Sequence, residues 1–148
     1  MTPKDDAGPL VTRDPERLFS LMMGNLPARV WIKDADGRYV FVNSRLCSEL
    51  AIDREKWIGS TDEELFPNIG HVYWRKDLQV LTTRAPLVST DQVEQGESIF
   101  VLRFPMDIED QAHVAAVGID TTEHISALIG FFHLRDELFR NERLRSIG

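Results

Sequence analysis

A single β-hairpin, predicted for residues 30–43, constrains the fold of this chain most strongly. Two short runs rich in β-branched and aromatic residues, 30–32 and 39–42, flank the turn at 34–37. The acidic residues of the turn can accept hydrogen bonds from nearby backbone, and Gly37 can take a positive φ. Asn43, a favoured helix N-cap, follows the second strand. The pattern predicts a strand, a tight turn, a strand and a capped helix.

Further helices are predicted on both sides of this hairpin. Residues 14–24 form an amphipathic helix that is expected to cover the open face of the sheet. Residues 53–69, interrupted by Gly59 and Pro67, suit brief helical turns. A longer helix is predicted from His71 to about residue 84, because apolar side chains recur there at helical spacing.

Three strands complete the pattern. They are predicted at residues 87–94, 98–106 and 111–119, separated by turn-rich segments at 95–97 and 107–110. Short helices, one longer helix and antiparallel strands together predict an α+β domain with the helices on one side of the sheet.

Three motifs resemble those of a PAS domain, and they occur in that family's order. The first hairpin of a PAS domain typically carries a Lys-Asp-x-x-Gly turn and ends in Asn; here these residues are Lys33, Asp34, Gly37 and Asn43. Residues 58–67 resemble the segment that joins the small helices, and residues 118–123 resemble the closing Asp-x-Thr-Glu signature. The resemblance covers roughly residues 14–123 and implies a PAS fold with strand order 2-1-5-4-3.

The chain therefore divides into three predicted parts. Residues 1–13 are expected to be a disordered leader, because they are rich in Pro and Gly and show no period. Residues 14–120 form the PAS domain, and residues 121–148 form a C-terminal linker helix. The terminal residues 143–148 resemble the helix that enters the dimerisation and phosphotransfer domain of sensor histidine kinases. This resemblance implies a kinase parent whose phosphoacceptor His is none of the four histidines here.

Composition excludes several functions. The formal net charge is −7 and the pI is about 5.0, which disfavours nucleic acid and anionic membranes as partners. One cysteine cannot build a disulfide framework, and no apolar run is long enough to span a membrane. We expect a cytoplasmic, non-enzymatic regulatory domain that makes no membrane contact.

Candidate ligand-binding residues lie on the long helix and on the last two strands. They are His71, Trp74, Leu78, Arg103 and Val117. The helix face that carries His71, Trp74 and Leu78 is expected to look into the core. Some PAS domains bind haem through a His on this helix, but a structural role for His71 is the preferred interpretation. No cofactor is expected; haem and flavin remain the alternatives.

Three further side chains have both a functional and a structural interpretation. Arg103, the one charge in an apolar strand, would hold a small carboxylate if it pointed inward, but edge or solvent exposure is favoured. Cys47 invites comparison with flavin-binding light sensors, but its surroundings differ, and a buried, inert role is favoured. Trp31, Trp57 and Trp74 are expected to pack in the core or in an interface. An acidic cluster is expected to be solvated; it comprises Asp53, Glu55, Asp62, Glu63 and Glu64.

The C-terminal helix is expected to transmit the signal. Asp120, Thr121, Thr122 and Glu123 would pass a shift of the last strand to this helix, with Asp120 and Glu123 forming a capping box. An apolar stripe on the helix favours a parallel homodimer; its residues are Ile125, Leu128, Phe132 and Phe139. The alternative is that the stripe packs back onto its own sheet. Two further alternatives concern the whole chain: a ligand-free dimerisation module, and a domain that controls another output such as a nucleotide cyclase.

Overall fold

The computed structural model describes residues 13–93, 96–120, 130 and 132–140. The helices are α1 (Pro15–Asn25), α2 (Ser44–Leu50), α3 (Arg54–Trp57), α4 (Asp62–Leu65) and α5 (Gly70–Thr83). The strands are β1 (Arg29–Asp34), β2 (Tyr39–Val42), β3 (Leu87–Gln92), β4 (Ser98–Ile108) and β5 (Gln111–Asp120). They form one antiparallel sheet in the order β2-β1-β5-β4-β3, which confirms the predicted α+β class and strand order.

The first hairpin forms as the sequence predicts. Asp34 Oδ1 accepts hydrogen bonds from the backbone N–H groups of Asp36 and Arg38, both at 2.9 Å. Gly37 has a φ of +81°, a left-handed conformation that is strained for residues with a side chain. A Cβ added to Gly37 would also lie 2.9 Å from the Trp74 ring. Glycine is therefore required here for both the turn and the packing of α5.

Asn43 joins the hairpin to α2. Its Oδ1 accepts from Leu46 N, as an N-cap does, and also from Val30 N, both at 3.1 Å. Its Nδ2 donates to the carbonyl of Ala28 across 2.9 Å. The side chain is buried, so one residue satisfies the backbone groups of Ala28, Val30 and Leu46.

The β4–β5 hairpin is longer than its sequence suggests. Residues 107–110 are predicted as a loop, but β4 continues to Ile108 and β5 begins at Gln111. Only Glu109 and Asp110 remain in the turn, with φ of 50° and 63°. Two consecutive left-handed residues are typical of a type I′ turn, which matches the twist of the flanking strands. The turn could not be recognised in the sequence because it lacks the glycine that usually marks a type I′ turn.

The core lies between α2–α5 and one face of the sheet. It centres on two of the predicted tryptophans, Trp31 and Trp57, which are 6% and 1% exposed. The burial along β1 alternates, with Trp31 and Lys33 facing the helices and Val30 and Ile32 facing away. The predicted division of the first strand between two faces is confirmed.

Two packing predictions are wrong. The helix α5 turns Gly70, Asp77 and Val80 into the core, while His71 and Leu78 are exposed. The buried set has the predicted spacing but is displaced by one residue, or 100° around the helix. The sequence pattern failed because it assigned the core face to apolar residues and therefore passed over Asp77.

The N-terminal helix forms but buries none of its residues. It meets the outer side of the sheet through Phe19, whose ring lies 5.8 Å from that of Phe41. Phe19, Leu21 and Met22 are about half exposed. The prediction that this helix covers the open face is therefore wrong, because its apolar side is left largely to solvent.

Candidate ligand cavity and buried charge network

A cavity of about 50 Å³ lies between the sheet and the helices. Its apolar walls come from β1, β2, β4 and the helices; they include Trp31, Tyr39, Leu46, Leu50, Trp57, Phe66, Tyr73 and Ile99. Four polar side chains complete the lining, namely Arg29, Lys33, Asp91 and Arg103. Aromatic and charged side chains therefore line one concave site beneath α2–α5.

One half of a buried ion-pair network joins β1 to the helices. Lys33 Nζ donates to Asp62 on α4 and, across 2.6 Å, to Asp77 Oδ2 on α5. Tyr39 donates its hydroxyl to the other oxygen of Asp62. Burial raises the pKa of Asp62, and the positive charge of Lys33 offsets only part of this effect. Burial and the neighbouring Asp62 also raise the pKa of Tyr39, so its hydroxyl remains a donor.

The other half joins α5 to β3 and β4 through Arg103. Its Nε donates to Asp77 Oδ1 at 3.1 Å, and its Nη2 donates to Asp91 Oδ2 at 2.6 Å. Asp91 also accepts from Lys76 Nζ at 2.6 Å and from Ser89 Oγ at 2.7 Å. Burial acts to raise the pKa of Asp91, but the hydrogen bonds and charge of Arg103 hold it below its ordinary value.

The network contains equal numbers of positive and negative side chains and joins β1, β3 and β4 to α4 and α5. Asp77 is its centre, because it bonds to both Lys33 and Arg103, and all three side chains are at most 2% exposed. The cations are Lys33, Lys76 and Arg103, and the carboxylates are Asp62, Asp77 and Asp91. Buried charges are tolerated when they are paired in this way. The pairs fix α4 and α5 to the sheet at one end of the cavity.

The end of β5 contacts the cavity walls. A Cβ added to Gly118 would lie 3.1 Å from the Trp31 ring and 3.3 Å from Ile99 Cδ1, so both side chains rest on this glycine. Ile99 also pairs in register with Asp120, the last residue of β5. The side chains that line the cavity are therefore in contact with the strand that leads to the C-terminal helix.

The predicted ligand residues do not come together. Arg103 lines the cavity, and the favoured prediction that it is exposed is wrong, since it is 1% exposed. His71 and Leu78 are exposed on α5, and Trp74 packs against Gly37. Val117 pairs with Val30 and Leu102, which lie on the sheet face away from the helices.

The residues of the cavity do not suit haem or flavin. A volume of about 50 Å³ has no room for either ring system, and His71, the proposed haem ligand, does not line the cavity. Cys47 is half-buried on α2, and burial raises the pKa of its thiol, which disfavours the nucleophilic thiolate. Among the described residues, no group of three or more His, Cys, Asp or Glu side chains is placed to hold a metal ion.

Sequence reasoning missed most of the charge network. Asp62 was assigned to a solvated acidic cluster, but it is 3% exposed; the other members, Asp53, Glu55, Glu63 and Glu64, are exposed as predicted. Lys33 was identified only as part of the turn motif. Its alternation with Trp31 along β1 was the available signal, since residues two apart on a strand face the same way.

The predicted output segment is only partly described. Asp120 ends β5, whereas Thr121, Thr122, Glu123, Ile125 and Leu128 lie outside the described residues. Residues 132–140 are helical, and Phe132 and Phe139 are 54% and 49% exposed there. No helix among the described residues is long and apolar enough to cross a membrane.

The fold defines an α+β domain of the PAS type. The family model described as the PAS fold matches residues 24–125, and the chain belongs to this family. A comparison with curated proteins finds no match.

Several solved structures resemble this one, and two of the three described below are named as PAS domains. The PAS domain of BvgS from Bordetella pertussis has a TM-score of 0.61 at 16% identity, over 84% of this chain and 98% of that one. A sensory box sensor histidine kinase from Vibrio cholerae has a TM-score of 0.56 at 22% identity, over 74% and 94%. The PAS domain of nitrogen regulation protein NR(II) from Vibrio parahaemolyticus has a TM-score of 0.57 at 13% identity, over 70% and 97%. At these identities the likeness concerns the fold.

Proposed function

We propose that this chain is the cytoplasmic sensory module of a two-component sensor histidine kinase. A ligand or partner changes the cavity, and the change passes through the end of β5 to a dimeric C-terminal helix. The module itself carries out no catalysis, and its output partners are the kinase domains that follow it. The likeness to PAS domains of sensor histidine kinases supports this proposal, as does the similarity of residues 143–148 to the entry helix of such kinases.

The observation that carries the proposal is the contact of the cavity walls with Gly118. Trp31 and Ile99 line the cavity and rest on this glycine, two residues before the end of β5. A ligand that displaces either side chain must move it relative to the β5 backbone. Packed interiors have little free volume, so such a displacement is transmitted rather than absorbed.

Asp120 is the first residue that would carry the displacement onward. It is half-buried at the end of β5 and pairs with Ile99. We propose that Thr121, Thr122 and Glu123 continue the relay into the helix. A ligand would then shift the population between two arrangements of the paired helices, each with a different kinase activity.

The proposed homodimer would bury the apolar side of the C-terminal helix. Phe132 and Phe139 lie seven residues apart, on one side of the helix, and each is about half exposed. Leu138, beside them, is 58% exposed. An exposed apolar stripe of this kind favours pairing with a second copy. The α1 helix, with its exposed Phe19, would add to the same dimer.

A kinase fusion tests whether the cavity controls the output. The chain would be joined after Gly148 to the phosphotransfer and ATP-binding domains of a PAS-regulated histidine kinase. Ile99→Ala enlarges the cavity beside Gly118 and is expected to change autophosphorylation by at least about two-fold. Leu102→Ala is the matched control, since Leu102 lies on the same strand but on the exposed face. Equal activity of the two variants and the unaltered fusion would contradict the proposal.

A further inference from the structure

Trp31 carries a buried hydrogen-bond donor that has no protein partner. The side chain is 6% exposed, lines the cavity, and its Nε1 makes no hydrogen bond to any described residue. In contrast, Trp57 Nε1, in the same cavity wall, donates to the carbonyl of Ile52 across 3.1 Å. A buried donor without an acceptor is costly, so the Trp31 N–H requires an acceptor from whatever occupies the cavity.

The apolar walls suit a small planar or compact body. Four aromatic rings form a continuous series around the cavity. The centroids of Tyr39 and Trp57 lie 4.9 Å apart, those of Trp57 and Phe66 5.8 Å, and those of Phe66 and Tyr73 6.0 Å. Aromatic edges and faces of this kind contact planar ligands favourably. One water needs roughly 10–15 Å³, so a cavity of about 50 Å³ accepts a handful of non-hydrogen atoms.

The charges around the cavity are already paired, which disfavours an ionic ligand. Arg29 donates to Glu49 Oε2 at 2.9 Å. Lys33 is paired with two carboxylates, and so is Arg103, through Asp77 and Asp91. A bound carboxylate or ammonium group would bring an uncompensated charge into a buried site. The unmet requirement is a single acceptor.

We infer that the cavity takes a small, uncharged molecule with an apolar body and one hydrogen-bond acceptor, which receives the Trp31 N–H. This inference rests on the proposed sensory function and names the chemical class of its ligand. A carbonyl or an ether oxygen meets the requirement. Because Trp31 also rests on Gly118, occupation of the acceptor position would act on the strand that leads to the output helix.

Titration of the whole chain with three matched probes tests this inference. Acetone offers a neutral carbonyl acceptor on four non-hydrogen atoms; 2-methylpropene has the same shape without an acceptor; acetate has the same shape with an anionic acceptor. The indole N–H signals of the three tryptophans are followed in ¹H–¹⁵N spectra, and Trp31→Phe identifies the Trp31 signal by its loss. The Trp57 signal serves as an internal control, since its N–H is already bonded.

The expected result is a downfield shift of the Trp31 signal with acetone and none with 2-methylpropene, while the Trp57 signal changes little. Trp31→Phe should reduce the preference for acetone over 2-methylpropene by roughly two- to ten-fold, the effect of one hydrogen bond. Tighter binding of acetate, an unchanged preference in Trp31→Phe, or no binding of any probe would overturn the inference. None of these results would affect the kinase-fusion test, which needs no ligand and judges the relay separately.

Discussion

Lys33 Nζ and Asp77 Oδ2 lie 2.6 Å apart in a site where both side chains are at most 2% exposed. The first is on β1 and the second on α5, so the ion pair spans the core from the sheet to the longest of the helices that the structure describes in full. Asp77 binds Arg103 of β4 with its other oxygen. The same carboxylate therefore positions two strands and one helix around the cavity.

Removal of the Asp77 carboxylate should destabilise the domain severely. Asp77→Ala leaves Lys33 and Arg103 buried with part of their charge unpaired, and we expect a loss of about 3–5 kcal/mol in the free energy of unfolding. Urea denaturation measures this loss. Arg84→Ala is the control; it breaks the exposed Arg84–Asp107 pair and should cost no more than about 1 kcal/mol. Similar losses in the two variants would show that the network contributes little.

The free energy of unfolding should depend on pH below about 4 because of Asp91. Its pKa is lower in the folded chain than in the unfolded chain, so the unfolded chain binds more protons near pH 4. The stabilisation is therefore present above the unfolded pKa of about 3.9 and is lost as the pH falls through the lower folded value. Asp91→Asn should be less stable than wild type by on the order of 3 kcal/mol at pH 7.

Urea denaturation of both proteins between pH 7 and pH 2 checks this prediction. The difference in the free energy of unfolding should shrink as the pH falls below about 4. Asp107→Asn, an exposed substitution, should stay close to wild type throughout. A difference for Asp91→Asn that remained constant down to pH 2 would show that Asp91 is not held ionised by Arg103.

Loss of the Asn43 side chain should uncouple α2 from the first strand. Asn43→Ala leaves Val30 N–H and Leu46 N–H without their acceptor and Ala28 C=O without its donor. We expect a loss of about 2–4 kcal/mol in the free energy of unfolding. Ser48→Ala, an exposed position of the same helix, should change it by less than about 0.5 kcal/mol. Thermal and urea unfolding measure both variants. Equal stability of Asn43→Ala and Ser48→Ala would show that the Asn43 side chain contributes little.

The C-terminal helix should hold the chain as a dimer. Phe132→Glu combined with Phe139→Glu removes two apolar contacts from the proposed interface, and we expect the dimer to dissociate at least about tenfold more readily. Sedimentation equilibrium would then approach the monomer mass of 16.9 kDa. Glu137→Ala, on the opposite side of the helix, should leave the dimer unchanged. A monomeric wild-type chain would contradict the dimer directly.

The parts of the fold that local chemistry determines could be predicted from the sequence. The Asp34–Gly37 turn and the Asn43 cap depend on side chains bonding to nearby backbone, and all of these contacts form. The order of the strands came from the resemblance to PAS domains, because periodicity does not define which strands are neighbours. The cavity site was predicted only through Arg103, for which solvent exposure was preferred.

Long-range charge pairing explains what the sequence concealed. Asp62 and Asp77 are buried because Lys33 and Arg103, distant in the chain, neutralise them in the folded structure. An isolated Asp on a helix is ordinarily exposed, so sequence patterns place it on the solvent side. Because both aspartates were expected to be exposed, the predicted core face of α5 was wrong by one residue and Asp62 was placed in a solvated cluster.

The most direct test of the central claim asks whether a change in the cavity reaches the output through Asp120. In the kinase fusion, Leu50→Ala alters the cavity wall that α2 provides. Leu50 is neither part of β5 nor on a strand paired with it. The account predicts that Leu50→Ala changes autophosphorylation, and that the same substitution has no effect when Asp120→Ala is also present. If Leu50→Ala produced the same change in both backgrounds, the signal would not pass through Asp120, and the proposed relay would be wrong.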